Sequence, residues 1–132
     1  MRVFLDTNVL ASALTTRGLC AELFEVVLQS HDLLISEAVF RELQRILPEK
    51  LGQTETITND FIALLRAEGQ VITTKHPLPK LPDPDDEAII ADALAGNANV
   101  FVTGDKALLN LEDVEGLPVI TPRSLWESLA DK

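Results

Sequence analysis

Short apolar runs alternate with longer amphipathic segments along the whole chain. Each run has three residues, many of them β-branched or aromatic, which is typical of buried strands. The runs cover residues 3–5, 33–35, 71–73, 100–102 and 118–120. Strands that alternate with helices predict a parallel sheet with helices on both faces and right-handed crossovers. We therefore expect an α/β fold with three layers, α/β/α, around a five-stranded parallel sheet.

Between these runs, apolar residues recur at spacings of three and four, which predicts helices. The expected helices cover residues 7–16, 21–28, 37–48, 84–95 and 122–129, with a further one around residues 61–65 that ends near Gly69. Ser36 is a good N-cap for the third helix, and Asp83 followed by Pro84 is a typical helix start. Prolines at positions 77, 79, 82 and 84 exclude regular structure from the connector before residue 84.

The composition fits one domain that spans residues 1–132, and 46% of the residues are hydrophobic, which is enough for one core. No apolar run approaches the roughly 20 residues that a membrane span needs. The sequence also has no basic and apolar leader, so we expect a cytoplasmic protein that does not bind membranes. The single cysteine, Cys20, excludes an internal disulfide and a metal site with several thiolates.

The charge is strongly acidic, with 11 basic and 21 acidic residues and a formal net charge of −10. This balance argues against a protein that holds nucleic acid mainly by releasing counterions. It leaves room for a nuclease, because a few basic groups and bound metal ions can offset the negative charge at a site.

Two of the predicted strands end in an acid at the same edge of the sheet. Asp6 directly follows the first strand, and Asp105 follows the fourth strand after Thr103 and Gly104. In open α/β sheets, ligands bind outside the carboxyl ends of the strands. Asp is also a favoured N-cap, so capping explains each of these acids when it is taken alone. Together at one edge, they indicate a candidate site.

Two further acids lie on helices that lead toward this edge. Glu42 lies beside the apolar stripe of the third helix and, taken alone, fits a solvated side chain. Asp86 lies in the first turn of its helix, where the helix dipole favours a carboxylate. Apolar residues follow it three, four and seven positions later, so Asp86 shares the buried face of the helix. Asp85 is the alternative in the DPDD segment, and helical phase favours Asp86.

Several carboxylates in one cleft repel one another and raise one another's pKa unless a cation is present. A set of oxygen ligands without His or Cys favours Mg²⁺ or Mn²⁺ over zinc. Such a site keeps positions open for water and phosphate oxygens, which suits metal-assisted hydrolysis of a phosphodiester. The basic candidates for phosphate contact are Arg17, Arg41, Arg45 and Lys106, and Lys106 directly follows Asp105.

Four segments carry a family resemblance: FLDTNVLASAL, SEAVFRELQRIL, DPDDEAIIADALAG and NVFVTGDKALLNL. In this order they resemble the PIN-domain ribonucleases, and most of all the bacterial PIN proteins that are toxins of toxin–antitoxin systems. The resemblance extends from Arg2 to about Leu129. It places the acidic quartet of that family on Asp6, Glu42, Asp86 and Asp105.

The resemblance also implies roles that the residue pattern alone does not provide. Asn8 matches an asparagine that supports the first acid by hydrogen bonding, and Thr103 matches the hydroxyl residue that precedes the last acid. The family implies single-stranded RNA as substrate, Mg²⁺ or Mn²⁺ as cofactor, and products with a 5′-phosphate and a 3′-hydroxyl. It further implies a homodimer and a cognate antitoxin. The expected function is therefore a metal-dependent endoribonuclease.

Other classes fit the sequence less well. A phosphatase that forms an aspartyl-phosphate needs a second Asp two residues after the first, where this chain has Asn8. A receiver domain needs a phosphoacceptor Asp at the end of a central strand, and here the third strand ends in Thr73, Thr74 and Lys75. The main alternative is a non-catalytic PIN-like module whose four acids bind a basic segment of a partner.

Overall fold

The computed structural model describes residues 1–130, and this part of the chain contains six strands and seven helices. The strands are β1 (Arg2–Leu5), β2 (Asp32–Ile35), β3 (Gln70–Val71), β4 (Val100–Val102), β5 (Asp113–Val114) and β6 (Leu117–Ile120). The helices are α1 (Thr7–Thr15), α2 (Leu19–Ser30), α3 (Glu37–Glu49), α4 (Glu55–Glu68), α5 (Pro84–Ala95), α6 (Lys106–Leu109) and α7 (Pro122–Ala130).

The strands form one sheet with the order β3-β2-β1-β4-β6-β5. The first five strands in this order are parallel, and β5 pairs with β6 in the antiparallel direction. The predicted α/β class is confirmed, but the predicted strand count was one too low. The extra strand, β5, has two residues, and it lies between backbone positions with positive φ at Glu112, Glu115 and Gly116. So short a strand leaves no hydrophobic period in the sequence.

Helices cover both faces of the sheet at its centre. Val3, Phe4 and Leu5 are each at most 1% exposed. Because successive side chains of a strand point to opposite faces, three buried neighbours require cover on both sides. Phe4 and Phe101 stack across β1 and β4 with ring centroids 5.2 Å apart. This packing fixes the two strands that carry Asp6 and Asp105.

The helix starts follow local capping signals. Ser36 accepts a hydrogen bond from the backbone N–H of Val39, and Asp83 accepts one from Asp85, as expected of N-caps. Helix α4 begins earlier than predicted, because Thr54 caps it by accepting from Ile57. Helix α6 was not predicted, since four residues are too few for a helical pattern.

The chain changes direction within the sheet between β1 and β4. From β1 it continues to β2 and β3 on one side, and then it crosses back to β4 on the other side. A crevice at such a switch point is the usual ligand site of an open α/β sheet. The backbone N–H of Asp6 donates to the carbonyl of Val102, so the carboxyl ends of both strands meet there.

No helix within residues 1–130 has the length and apolar character that crossing a membrane requires.

Candidate active site

A cavity of about 480 Å³ opens at the switch point, and all four predicted acids line it. Its lining comes from the carboxyl end of β1, from α1, α3 and α5, and from the segment after β4. The lining residues are Asp6, Thr7, Asn8, Ala11, Ser12, Thr15, Glu42, Ile46, Leu51, Asp86, Ile89 and Asp105. The fold therefore brings together residues that are up to 99 positions apart in the sequence. We call this space the acidic cavity.

Asp6 is the most buried of the four acids, with 7% of its surface exposed. One carboxylate oxygen, Oδ1, accepts a hydrogen bond of 2.8 Å from the backbone N–H of Thr7 and so caps α1. The other oxygen accepts from the hydroxyl of Thr103 at 2.8 Å and from the amide of Asn8 at 3.1 Å. The Asp6 side chain therefore both caps α1 and lines the acidic cavity.

Asn8 and Thr103 form a small framework behind Asp6. The Asn8 amide also donates to the Thr103 hydroxyl at 3.2 Å, and that hydroxyl accepts from the backbone N–H of Asp105 at 3.0 Å. The Asn8 carbonyl accepts from the N–H of Gly104 at 2.9 Å. A Cβ at position 104 would lie 3.3 Å from that carbonyl oxygen, so glycine allows this close approach. No pattern in the sequence marks Gly104 for this role.

Glu42 is held by a contact that sequence analysis missed. The hydroxyl of Thr7 donates to Oε1 of Glu42 at 2.5 Å, while the backbone N–H of Thr7 donates to Asp6. Thr7 is buried and stands between the two acids. The sequence shows that Thr7 directly follows Asp6. It does not show that Thr7 contacts Glu42, which lies 35 positions later on α3.

The structure also separates the two neighbouring acids of the DPDD segment. Asp86 is half-buried and lines the acidic cavity, as its helical phase predicted. Asp85 is exposed and lines a neighbouring cavity. Asp105 is half-buried, and it accepts a hydrogen bond from the backbone N–H of Ala107, which makes it the N-cap of α6.

The acids influence one another's ionisation. Burial raises the pKa of Asp6, hydrogen bonds from Thr103 and Thr7 lower it in part, and the charges of Glu42 and Asp105 raise it further. Burial, first, and the negative charges of Asp83 and the three other cavity acids together raise the pKa of Asp86 to about 6. Negative charge is therefore concentrated in the cavity.

The donor set of the acidic cavity suits a hard divalent cation. It offers carboxylate oxygens and no His or Cys, which is the ligand chemistry of Mg²⁺ and Mn²⁺. Within residues 1–130, no three His, Cys, Asp or Glu side chains are already grouped closely enough to hold one ion. Mg²⁺ usually keeps several waters and is held by one or two carboxylates, so this arrangement is compatible with binding. The mutual repulsion of the carboxylates favours binding of a cation.

Among the basic candidates for phosphate contact, Arg41 and Lys106 lie at different places in the structure. Arg41 lines the cavity that also contains Asp85, next to the acidic cavity. Lys106 is the first residue of α6 and is exposed, and it is not among the residues that line the acidic cavity.

The fold and the site define a class of protein: an open α/β domain with an acidic cavity at the switch point of its sheet. The sequence of residues 2–107 matches the PIN domain, so the chain belongs to the PIN domain family. No curated protein matches the sequence closely enough to count as a relative.

Solved structures share this fold over nearly the whole chain. A chain of VapBC2 from Rickettsia felis, bound to a promoter DNA fragment, is 16% identical, with a TM-score of 0.67. The alignment covers 92% of this chain and 98% of the other. VapBC-1 from nontypeable Haemophilus influenzae is 22% identical over 93% and 99%, with a TM-score of 0.64. The PIN domain endonuclease Utp24 is 18% identical over 91% and 84%, with a TM-score of 0.52.

Proposed function

We propose that this protein is a metal-dependent endoribonuclease that cleaves single-stranded RNA and acts as the toxin of a toxin–antitoxin pair. The observation that carries the proposal is the convergence of Asp6, Glu42, Asp86 and Asp105 on one cavity. Membership of the PIN domain family and similarity to the endonuclease Utp24 support the nuclease activity. The direct test is cleavage of a single-stranded RNA in Mn²⁺ by the wild-type protein, with Asp6→Asn in parallel.

Mg²⁺ or Mn²⁺ is the proposed cofactor, and the four cavity acids are its proposed ligands. A bound ion supplies Lewis-acid stabilisation of the phosphate and an acidic water for the hydrolysis. Because the side chains are not yet grouped around one point, we expect the ion to order them.

The protein's own groups have separate roles in this proposal. Asn8 and Thr103 hold the Asp6 carboxylate in place through three hydrogen bonds within the framework. Thr7 holds Glu42. Lys106 and Arg41 are the proposed phosphate contacts, because both are exposed cations that lie beside cavity acids in the chain or in space. These groups orient the RNA strand and the ligands.

The proposed partner is supported by solved structures that share this fold. Two of the structures that share the fold are VapBC complexes, which supports a cognate antitoxin as the partner of this chain. A homodimer, which the resemblance of the sequence to PIN toxins implies, and a cytoplasmic location, which we expected from the sequence, complete the proposal.

A melting experiment separates this proposal from the alternative, in which the acids bind a basic segment of a partner. An ion that binds the native state alone stabilises it, by about 2.7 kcal/mol at 100 times its Kd. We expect Mn²⁺ and Mg²⁺ to raise the Tm of the wild-type protein by several degrees, with a much smaller rise for Asp86→Asn. A Tm that does not respond to either ion, combined with stabilisation by an oligolysine peptide, would favour the alternative.

Thr7→Val tests whether the Thr7 hydroxyl positions Glu42. Valine keeps the shape and the backbone N–H of Thr7 but removes the donor to Glu42. Loss of a group that orients a metal ligand reduces metal affinity or activity by about 10–100-fold. We expect a loss of this size in Mn²⁺ affinity, measured by titration calorimetry, and a matching fall in kcat for RNA cleavage.

Thr7→Ser is the matched control, because serine restores the hydroxyl at the same place. It should keep Mn²⁺ affinity and kcat within a few-fold of the wild-type values. If serine and valine impair the protein equally, the methyl group of Thr7 matters through packing, and the positioning role is wrong.

A further inference from the structure

A second cavity of about 440 Å³ continues the acidic cavity along the groove between α3 and α5. The two cavities share Glu42 and Ile89 as lining residues, so they meet at the Glu42 side chain. The remaining lining residues are Ala38, Arg41, Arg45, Asp85 and Ala88. We call this second space the arginine recess.

The sequence builds the arginine recess from small and cationic residues on facing helices. Ala38, Arg41 and Arg45 follow one another at helical spacing and lie on one face of α3. Ala88 lies opposite on α5, and the two alanines leave the space between the helices open. The other face of α3 is anchored in the core by four buried residues, which fixes the base of each arginine: Val39, Phe40, Leu43 and Leu47.

The two arginines of the recess are exposed and not used in ion pairs. In the part of the chain that the structure describes, neither guanidinium lies within 4.0 Å of a carboxylate. Arg2 and Arg66 differ from them, since Arg2 donates to the carbonyl of Gly96 and Arg66 forms an ion pair with Glu37. Arg41 and Arg45 are therefore available to a ligand.

The charges around the recess limit what this ligand can be. Asp85 and the shared Glu42 are the acids of its lining, and Arg41 also feels the charges of Glu37 and Asp92. An anionic strand that enters the acidic cavity passes carboxylates and needs cations nearby. The planar guanidinium group matches the oxygens of a phosphate with two parallel hydrogen bonds.

We propose that the arginine recess binds a phosphate of the RNA strand next to the phosphate that is cleaved. This inference rests on the proposed function and extends it. The substrate is then a strand that runs along the groove between α3 and α5, and a mononucleotide lacks the second phosphate that Arg41 and Arg45 hold. Position along α3 separates the two tasks: Glu42 faces the metal ligands, and its neighbours at 41 and 45 face the strand.

The test measures binding of a fluorescein-labelled single-stranded RNA of 12 nucleotides by anisotropy in Mg²⁺. All proteins carry Asp6→Asn so that the RNA stays intact. Arg41→Gln with Arg45→Gln should weaken binding about tenfold, as expected for loss of a charge-assisted contact to one phosphate. The slope of log K against log salt should fall by about 0.7, the value for one phosphate of a single strand.

Two further variants make the result specific. Lys75→Gln with Arg123→Gln removes the same charge from exposed positions outside the recess, and it should change neither the affinity by more than twofold nor the salt slope. Ala88→Leu fills the recess without changing any charge, and it should weaken binding about as much as the loss of both arginines. With the wild-type Asp6 restored, the arginine variants should raise KM and leave kcat unchanged.

The proposal is wrong if the variant with Arg41→Gln and Arg45→Gln binds the RNA as tightly as the Lys75 and Arg123 control. It is also wrong if that variant has an unchanged salt slope. An oligoaspartate peptide that binds as tightly as the RNA, and depends equally on both arginines, would also overturn it and reassign the recess to an acidic protein segment. If binding depends on the arginines but no RNA is cleaved with Asp6 restored, the recess stands and the nuclease proposal fails.

Discussion

We expect Asp6→Asn to abolish cleavage of single-stranded RNA in Mn²⁺ and to leave the Tm close to that of the wild-type protein. Asp6 is the one cavity acid whose carboxylate is fixed by three hydrogen bonds from other groups. Removing its charge takes away a proposed metal ligand and with it the stabilisation of the reacting phosphate. Loss of one preorganised electrostatic group costs about 10²–10³-fold in rate, and we expect a loss at least that large.

The fold should tolerate this change for two reasons. Asn caps helices about as well as Asp, so the oxygen that accepts from the Thr7 N–H is kept, while the new amide nitrogen cannot accept the hydrogen bonds that Asn8 and Thr103 donate to Oδ2. The change also removes a buried charge whose pKa is raised by burial. Circular dichroism and a Tm within a few degrees of the wild-type value would show that the loss is chemical.

Asp32→Asn is the matched control for this experiment. Asp32 is exposed and begins β2, so it lies at the opposite edge of the sheet from the acidic cavity. The control variant should cleave RNA at the wild-type rate. Cleavage by Asp6→Asn at the wild-type rate, with the same dependence on Mn²⁺, would remove Asp6 from the active site and contradict the proposed function.

Much of the architecture could be predicted because it follows from local patterns. The three-residue apolar runs at β1, β2 and β4 reflect burial on both faces of a parallel sheet, and the structure buries all of their residues except Val100, which is partly buried. The N-caps at Ser36 and Asp83 follow from side-chain chemistry within three residues of the helix start. The helical phase of Asp86 is also a local pattern, and it predicted that Asp86 lies in the cavity.

What the sequence left open depends on contacts between distant segments. The hydrogen bond from Thr7 to Glu42 joins the first residue of α1 to the middle of α3, and no local pattern marks it. Strand β5 exists because it pairs with β6, and its two residues carry no pattern of their own. The arginine recess needs Ala38 and Ala88 to face each other across two helices, which the spacing within either helix does not reveal.

We expect Asp86→Asn to have opposite effects on stability and on activity. It should raise the Tm of the metal-free protein at pH 7.5 and reduce RNA cleavage at least 100-fold, because a proposed metal ligand is lost. The gain in stability follows from the pKa of Asp86, which burial and the neighbouring acids raise from 3.8 to about 6. An acid with a raised pKa destabilises the folded state once it is ionised.

The pH dependence gives the sign of this effect. Well below pH 3.8, Asp86 is protonated in both the folded and the unfolded state and contributes nothing to the pH dependence of stability. Between 3.8 and about 6 the folded state binds more protons than the unfolded state, so stability falls as the pH rises through this window. Above that window the penalty is complete and constant. Asparagine cannot ionise, so the stability of the Asp86→Asn variant does not decline through this titration.

Thermal melts from pH 4 to 8 in EDTA measure the difference. Since Asp86 is only half-buried, solvent screens part of the repulsion. We expect Asp86→Asn to melt about 4 °C higher at pH 7.5, which corresponds to roughly 1 kcal/mol for a domain of this size. The two proteins should melt together at pH 4, and saturating Mn²⁺ should reverse their order at pH 7.5.

Asp85→Asn is the control, because this exposed neighbour lies outside the acidic cavity. An equal gain from both variants would mean that general charge reduction, not crowding of acids in the cavity, sets the stability.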